Sequence, residues 1–496
     1  VTTVRDVVRG PLGHFTERSL AGLLAITGAG AAVGLLIMLV RVEWDPLFTV
    51  DHGIAARLNK LVSPHGAVVT VLNAITNLGG RPVILWLITV AAAGLLIRRQ
   101  SRLAVYVIVT GLGALIIDLG LKTLVDRLRP EVDVQIGSYA GASFPSGHAL
   151  GSMVAYGALL LVFLPAMAPR WRKPAIALVT ILVVAIGLTR IALGVHFVSD
   201  VVGAWLLGAL WLGVTSYAFR LWRREQGRPE PPLTEGLEPE ARRDITPAPD
   251  ERHVVAHPRS AVAELLVGWV LVFGALYGFG MYVSYYADGT FLAALDSEVP
   301  RWFAEHHTDD LTLLSVVLSR LGDTHAILFV SMVFCPLVVA VWRRWRPVVF
   351  VALAMFGELG LFLASAAAVD RPRPEVDNLD GKMPTSSFPS GHIAATICLY
   401  LAIAILVMAR TDRWWRWLTV VLAVIMPAGV AVSRMYRGMH HPTDSLGALL
   451  LSALWIGLLY WVLRPNADIH ESNRPSIQAE EVGTLDDELA KAARPG

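Results

Sequence analysis

The hexapeptide SFPSGH occurs at 143–148 and again at 387–392, each time just before a long apolar run. In the first occurrence Pro145 and Ser146 suit the opening of a helix, proline by its fixed φ and serine as a cap. Gly147 lets the backbone come close to a ligand, and free amides at a helix start favour an anion. His148 then stands beside that anion, placed to act as a general acid. Further on, His196 and Asp200 lie four residues apart. On one helix face, such a carboxylate holds one imidazole nitrogen and leaves the other free to attack. Three cations accompany them, Lys122, Arg129 and Arg190, each at the edge of an apolar run. Cations there are costly unless something anionic binds, and a phosphate offers both charge and acceptor oxygens for guanidinium forks. The set is a phosphate cradle (Lys122, Arg129, Ser146, Gly147, Arg190), a histidine nucleophile with its orienting acid, and a second histidine for the leaving group. That combination suits phosphoryl transfer through a phosphohistidine, with no metal and no cofactor. An ordinary cap accounts for one PSGH, and snorkelling accounts for one cation. Neither accounts for the set.

The chain repeats itself. LKTLVDRLRPEVD (121–133) aligns with SAAAVDRPRPEVD (365–377), and TRIALGVHFVSDVVGA (189–204) with SRMYRGMHHPTDSLGA (433–448), at the same offset of 244 as the hexapeptide. The second set is therefore His392, His440 and Asp444, with Arg373, Ser390, Gly391 and Arg434 for phosphate. Where the first copy has Lys122, the second has Ala366; Arg371 is a candidate to fill the gap, although Arg127 holds the same place in the first copy. Asp118, one turn before Lys122, is expected to hold that lysine in place.

These residues must be positioned by membrane helices. The 496 residues are 55% hydrophobic and 17% charged, against about a quarter charged in soluble domains. Several apolar runs reach the roughly 20 residues needed to cross a bilayer. The reading is an all-α membrane protein of two tandem six-helix bundles. In the first copy spans are expected near 19–40, 82–98, 103–124, 147–167, 174–190 and 197–220; in the second, near 262–284, 325–342, 347–369, 391–409, 414–432 and 441–463. The first bundle occupies 1–222 and the second 261–463. Residues 223–260, rich in proline and charge, read as a disordered cytoplasmic linker, and 464–496 as a disordered tail. Arg5, Arg9 and Arg18 lead into the first apolar segment, which is expected to stay as an anchor. Arg98, Arg99 and Arg102, then Arg170, Arg172 and Lys173, with like clusters in the second copy, put those loops, the linker and the termini in the cytoplasm. The motif loops then face outward. Segments 41–80 and 285–324, only partly apolar, are expected along the outer interface. A net charge of +2 gives no reason to expect nucleic acid, and Cys335 and Cys398 read as small buried hydrophobes.

At this point the sequence resembles the type 2 phosphatidic acid phosphatases, whose pattern is Lys-x₆-Arg-Pro, then Pro-Ser-Gly-His, then Ser-Arg-x₅-His-x₃-Asp. The first copy carries KTLVDRLRP, PSGH and TRIALGVHFVSD, departing only in Thr189 for serine. The resemblance implies a six-helix core and phosphate bound by Lys122, Arg129, Ser146, Gly147 and Arg190. It makes His148 the acid, His196 the nucleophile and Asp200 its partner. It implies a membrane lipid substrate, a phosphatidate or a polyprenyl (di)phosphate. The same residues serve a lipid phosphotransferase, and a binding or transport role stays open for the second copy. The oligomeric state is not set by the sequence.

Overall fold

The computed structural model describes residues 27–132, 134, 141–225, 227–228, 232–251, 253–255, 257–381, 385–467 and 469. The chain divides into two compact units, Val1–Pro249 and Asp250–Gly496. Among the described residues each unit is all-helical. The first contains α1 (Thr27–Arg41), α2 (Asp45–Val62), α3 (Gly66–Asn77), α4 (Arg81–Ile97), α5 (Ser101–Val125), α6 (Gly147–Phe163), α7 (Pro169–Ala192) and α8 (Val198–Arg224). The second repeats the order with α9 (Pro258–Met281), α10 (Phe291–Glu305), α11 (Asp309–Leu321), α12 (Thr324–Trp342), α13 (Arg346–Val369), α14 (Gly391–Arg410), α15 (Arg416–Tyr436) and α16 (Pro442–Leu463).

Eleven helical stretches among the described residues are long and apolar enough to span a bilayer. They fall where the apolar runs place them: 103–124 becomes α5, and 391–409 becomes α14. The first expected span, 19–40, is described only from Thr27, where α1 is apolar but shorter; the tail beyond residue 469 lies outside the described residues. Outer faces carry bare aliphatic side chains such as Ile116, Leu178 and Ile181, each at least 65% exposed, as a surface solvated by lipid tails requires. Inside, glycines let helices approach closely. A Cβ on Gly187 would meet the Trp205 ring at 2.3 Å, and one on Gly357 the Trp455 ring at 2.0 Å.

The expectation of a disordered linker over 223–260 is corrected over its described part. Its first stretch packs on the first unit, with Leu237, Ala241 and Ile245 buried in that unit's core. The Leu237 amide donates to the Leu161 carbonyl at 3.1 Å, and Arg223 pairs with Glu240 at 2.9 Å. The last stretch caps the second unit: Glu251 accepts from the Trp345 and Arg346 amides at 2.6 and 3.2 Å. The linker's apolar side chains find a hydrophobic surface, and Arg223, Glu240 and Glu251 find polar partners.

The segments 41–80 and 285–324 form helix pairs, α2–α3 and α10–α11. Each pair has polar residues buried on its inner face, Asp51, Asn59 and Thr76 in one, Asp296, Ser315 and Ser319 in the other. Those residues bear on the site.

Candidate active site

In the first unit the ends of α5 and α7 and the starts of α6 and α8 meet at one end of the bundle. α5 stops because Asp126 takes a left-handed conformation, φ +46°. Gly194, φ +70°, turns the chain after α7, a conformation glycine adopts without strain. Phe144, joined to Pro145 by a cis peptide, plugs the bundle against Gly203. The Ser146 amide donates to the Asp200 carbonyl at 3.2 Å, which fixes the start of α6 against the start of α8.

His196 sits in the turn before α8, 2% exposed. Its Nδ1 lies 3.4 Å from Asp200 Oδ2, and Arg129 Nη1 lies 3.4 Å from its Nε2. A guanidinium only donates, so Nε2 is the acceptor and Nδ1 carries the proton toward Asp200. Burial pushes the imidazole down to about 4, against the opposing pull of Asp200 and with Arg190 and Arg129 adding to the shift. The ring is therefore neutral at pH 7, with its lone pair on the side of the cations. Asp200 in turn accepts from the Phe197 amide at 2.9 Å, from the Ser143 hydroxyl, and from Arg127 at 2.8 Å.

The cradle residues converge at the same place. Lys122 Nζ contacts Asp118 at 2.9 Å, and Arg81 reaches the same carboxylate at 3.0 Å. A Cβ on Gly147 would come within about 3.1 Å of both the Asp118 carboxylate and Lys122 Nζ, so glycine is what admits that pair to the helix start. The Ser146 hydroxyl is fully buried with no hydrogen-bond partner among the described residues, a donor left over for an anion. Arg190 is 1% exposed and donates to Thr76 Oγ1 at 3.0 Å. The charges acting on His148 are those of Arg190, His196, Lys122 and Arg81. All eight residues expected for the first site thus come together, and Asp118 holds Lys122 as expected.

The second unit assembles its set in the same way. His440 Nδ1 lies 2.8 Å from the Ser387 carbonyl and 3.6 Å from Asp444 Oδ2, and burial again pushes its imidazole down to about 4. Ser390 Oγ is buried and lacks a partner among the described residues. Arg373 donates to the backbone carbonyls of Met439 at 2.6 Å and Thr385 at 3.1 Å, as Arg129 does to those of Val195 at 2.9 Å and Gly141 at 3.0 Å. Around them the second unit differs. Phe362 stands where the repeat has Asp118, its ring about 3 Å from a Cβ on Gly391. Asp323, following Gly322 as Gly80 follows Gly79, contacts His392 Nε2 at 2.9 Å. Asp380 binds Arg434 at 2.6 Å and Arg437 Nε at 2.8 Å. Burial alone would raise the Asp380 carboxyl, but Arg437 and Arg434 hold it below its ordinary value.

Sequence reasoning missed a buried network common to both units. Arg127 bridges Asp200 and Asp51, each at 2.8 Å, and the Ser199 amide donates to Asp51 at 3.0 Å. Arg371 bridges Asp444 and Asp296, each at 2.6 Å, and the Thr443 amide donates to Asp296 at 3.0 Å. The gap left by Lys122 is therefore not filled by Arg371, which is committed elsewhere. A signal did exist, an acid in each partly apolar outer segment. It sits at an offset of 245 instead of 244, so the repeat register hides it.

A family model described as the PAP2 superfamily matches residues 102–224 and 325–468. Phosphatidylglycerophosphatase B of Bacillus subtilis (strain 168) is 29% identical over 143 residues, covering 28% of this chain and 70% of that protein. A solved transmembrane PAP2-type phosphatidylglycerolphosphate phosphatase from Bacillus subtilis is 23% identical, covering 38% of this chain and 94% of that one, with a TM-score of 0.35.

Proposed function

The chain belongs to the PAP2 superfamily, and on that premise we propose that its first unit removes phosphate from a membrane lipid at the extracytoplasmic face. The observation that carries this is His196: neutral, held through Nδ1 by Asp200, with Nε2 turned to Arg129. Lys122, Arg129, Arg190, the Ser146 hydroxyl and the amides at the start of α6 receive the phosphate oxygens. Nε2 attacks phosphorus in line, the bond from phosphorus to the lipid oxygen breaks, and His148 gives that oxygen its proton. Asp200 stabilises the imidazolium form. Water then attacks the phosphohistidine, His148 takes the water's proton back, and inorganic phosphate leaves. Charge that builds on the equatorial oxygens meets cations already in place.

A lipid substrate is favoured by the site's place at one end of a bundle of helices long and apolar enough to span a bilayer. Phosphatidate, polyprenyl diphosphate and, by similarity to the Bacillus enzyme, phosphatidylglycerophosphate are the candidates. Phosphate release by the purified full chain from each of these, in chelator, tests the proposal. Turnover of at least one supports it; release from none, or release restored only by added Mg²⁺, would overturn it.

The orientation rests on the Arg-rich loops 98–102 and 170–173, which join helices at the opposite end of the first bundle from the site. Cysteines at the exposed positions Glu131 and Glu375 should react with an impermeant thiol reagent outside intact cells, and one at exposed Glu235 should not. The reverse pattern inverts the assignment.

A further inference from the structure

The second unit holds an ion-pair cluster that the repeat does not explain. Arg437 aligns with Leu193, a fully buried apolar residue in the first unit, and Asp380 aligns with Ile136. Both members of the Arg437–Asp380 pair are thus peculiar to the second copy. Arg437 lies three residues after Arg434, on the same helix face at the end of α15. Its guanidinium grips the Asp380 carboxylate and also donates to the Leu379 carbonyl at 3.2 Å and Ser315 Oγ at 3.0 Å. The Leu379 amide returns a bond to the Arg437 carbonyl at 3.1 Å, so this loop is docked and not merely nearby. From there Asp380 Oδ2 reaches Arg434 at 2.6 Å. Its charge also acts on Arg373 and His392. One carboxylate therefore holds Arg434 and Arg437 directly, where a phosphate's oxygens would be held. Beside it the Ser390 hydroxyl stays buried and unpartnered among the described residues.

We propose that the second unit is a phosphate site closed by its own loop: Asp380 occupies the anion position, and Arg437 is a cradle cation that replaces the missing lysine. With Asp380 in place, two guanidiniums are neutralised in part and the site rejects a second anion. With Asp380 withdrawn, Arg373, Arg434 and Arg437 offer three cations, the same number as Lys122, Arg129 and Arg190. The ligand class is a phosphate monoester group, supplied by a lipid headgroup or by free phosphate. This rests on the reading of the repeated cradle as a phosphate site.

The test uses the full chain with the first cradle disabled by Lys122→Ala and Arg129→Ala. Two ligands are titrated separately, inorganic phosphate and a short-chain phosphatidate. Loss of one competing charge-assisted contact should tighten binding roughly tenfold or more in Asp380→Asn. Arg437→Leu loosens the anchor of Asp380 at the cost of one cation, so it should give a smaller gain in the same direction. Arg434→Gln should erase the gain in either variant. A gain with both ligands assigns the site to phosphate as such; a gain with phosphatidate alone assigns it to a headgroup. No gain with either ligand, or a gain that survives Arg434→Gln, overturns the proposal. If the unaltered chain hydrolyses lipid phosphate and the titrations do not move, this inference fails alone; if the chain hydrolyses none, the reading it rests on fails.

Discussion

His196 and His440 stand in nearly interchangeable surroundings, whereas Lys122 and Ala366 do not. Around the histidines each unit keeps a carboxylate one turn on, an arginine behind it and a second carboxylate behind that: Asp200, Arg127 and Asp51 in one, Asp444, Arg371 and Asp296 in the other. On the side where the substrate's charge would sit, the first unit has Arg81, Asp118 and Lys122, and the second has Thr324, Phe362 and Ala366. The difference separates two kinds of constraint. Breaking a buried ion pair by removing one partner costs about 3–5 kcal/mol, so the inner network cannot drift without the fold. At the mouth Asp118 is shared by Lys122 and the half-exposed Arg81, so when Lys122 is lost Asp118 keeps a partner and the cost falls on binding more than on the bundle. An intact histidine and aspartate therefore testify to a shared fold, and only the mouth testifies to shared chemistry.

The largest effect should come from the nucleophiles themselves. His196→Ala should lower phosphate release by about 100-fold or more, while His440→Ala should leave most of it, both read as initial rates on one lipid phosphate. Equal losses would mean that the units work as one site. Next in size is the mouth. Lys122→Ala removes one charge-assisted contact and should cost roughly 10- to 150-fold in kcat/KM. In a His196→Ala background, Ala366→Lys alone should do little, because Phe362 occupies the place of the carboxylate that steadies Lys122. Adding Phe362→Asp should raise the residual rate; no rise from the pair would mean that this contrast is not what separates the copies.

A smaller effect should fall on both units alike. His196 and His440 both titrate near 4 because burial disfavours their charged forms, whereas an unfolded chain's histidines titrate near 6.5. Between those values the unfolded state binds more protons, so stability should fall as pH drops from about 6.5 toward 4. Thermal unfolding in that window should lose part of its pH dependence in His196→Gln and a similar part in His440→Gln. A shift confined to one variant would show that the two pockets are less alike than their contacts suggest.

How much of this was legible in the sequence depends on whether a feature is periodic or relational. The spans could be read because a bilayer demands long apolar runs, and the site residues because three ordered motifs recur at one offset. Asp51 and Asp296 could not, since their importance lies in meeting Arg127 and Arg371 across about 75 residues of chain. Arg127 and Arg371 themselves were visible but looked like spare phosphate ligands. Asp380 shares DNLDG with a second acid, Asp377, and nothing in its spacing marks it as the one that reaches Arg434. The stretch 223–260 read as disordered because its composition is polar, yet Leu237 and Ile245 are enough to dock it.

The central claim is that the first unit does the chemistry through His196, and trapping the covalent intermediate tests it most directly. Lipid substrate labelled in its terminal phosphate would be mixed with enzyme, quenched within one turnover in alkaline detergent to preserve phosphohistidine, and the label mapped by peptide. The account predicts label on the peptide carrying His196, lost in His196→Ala and retained in His440→Ala. Label on the His440 peptide, or an enzyme that turns over with no labelled histidine, would contradict it.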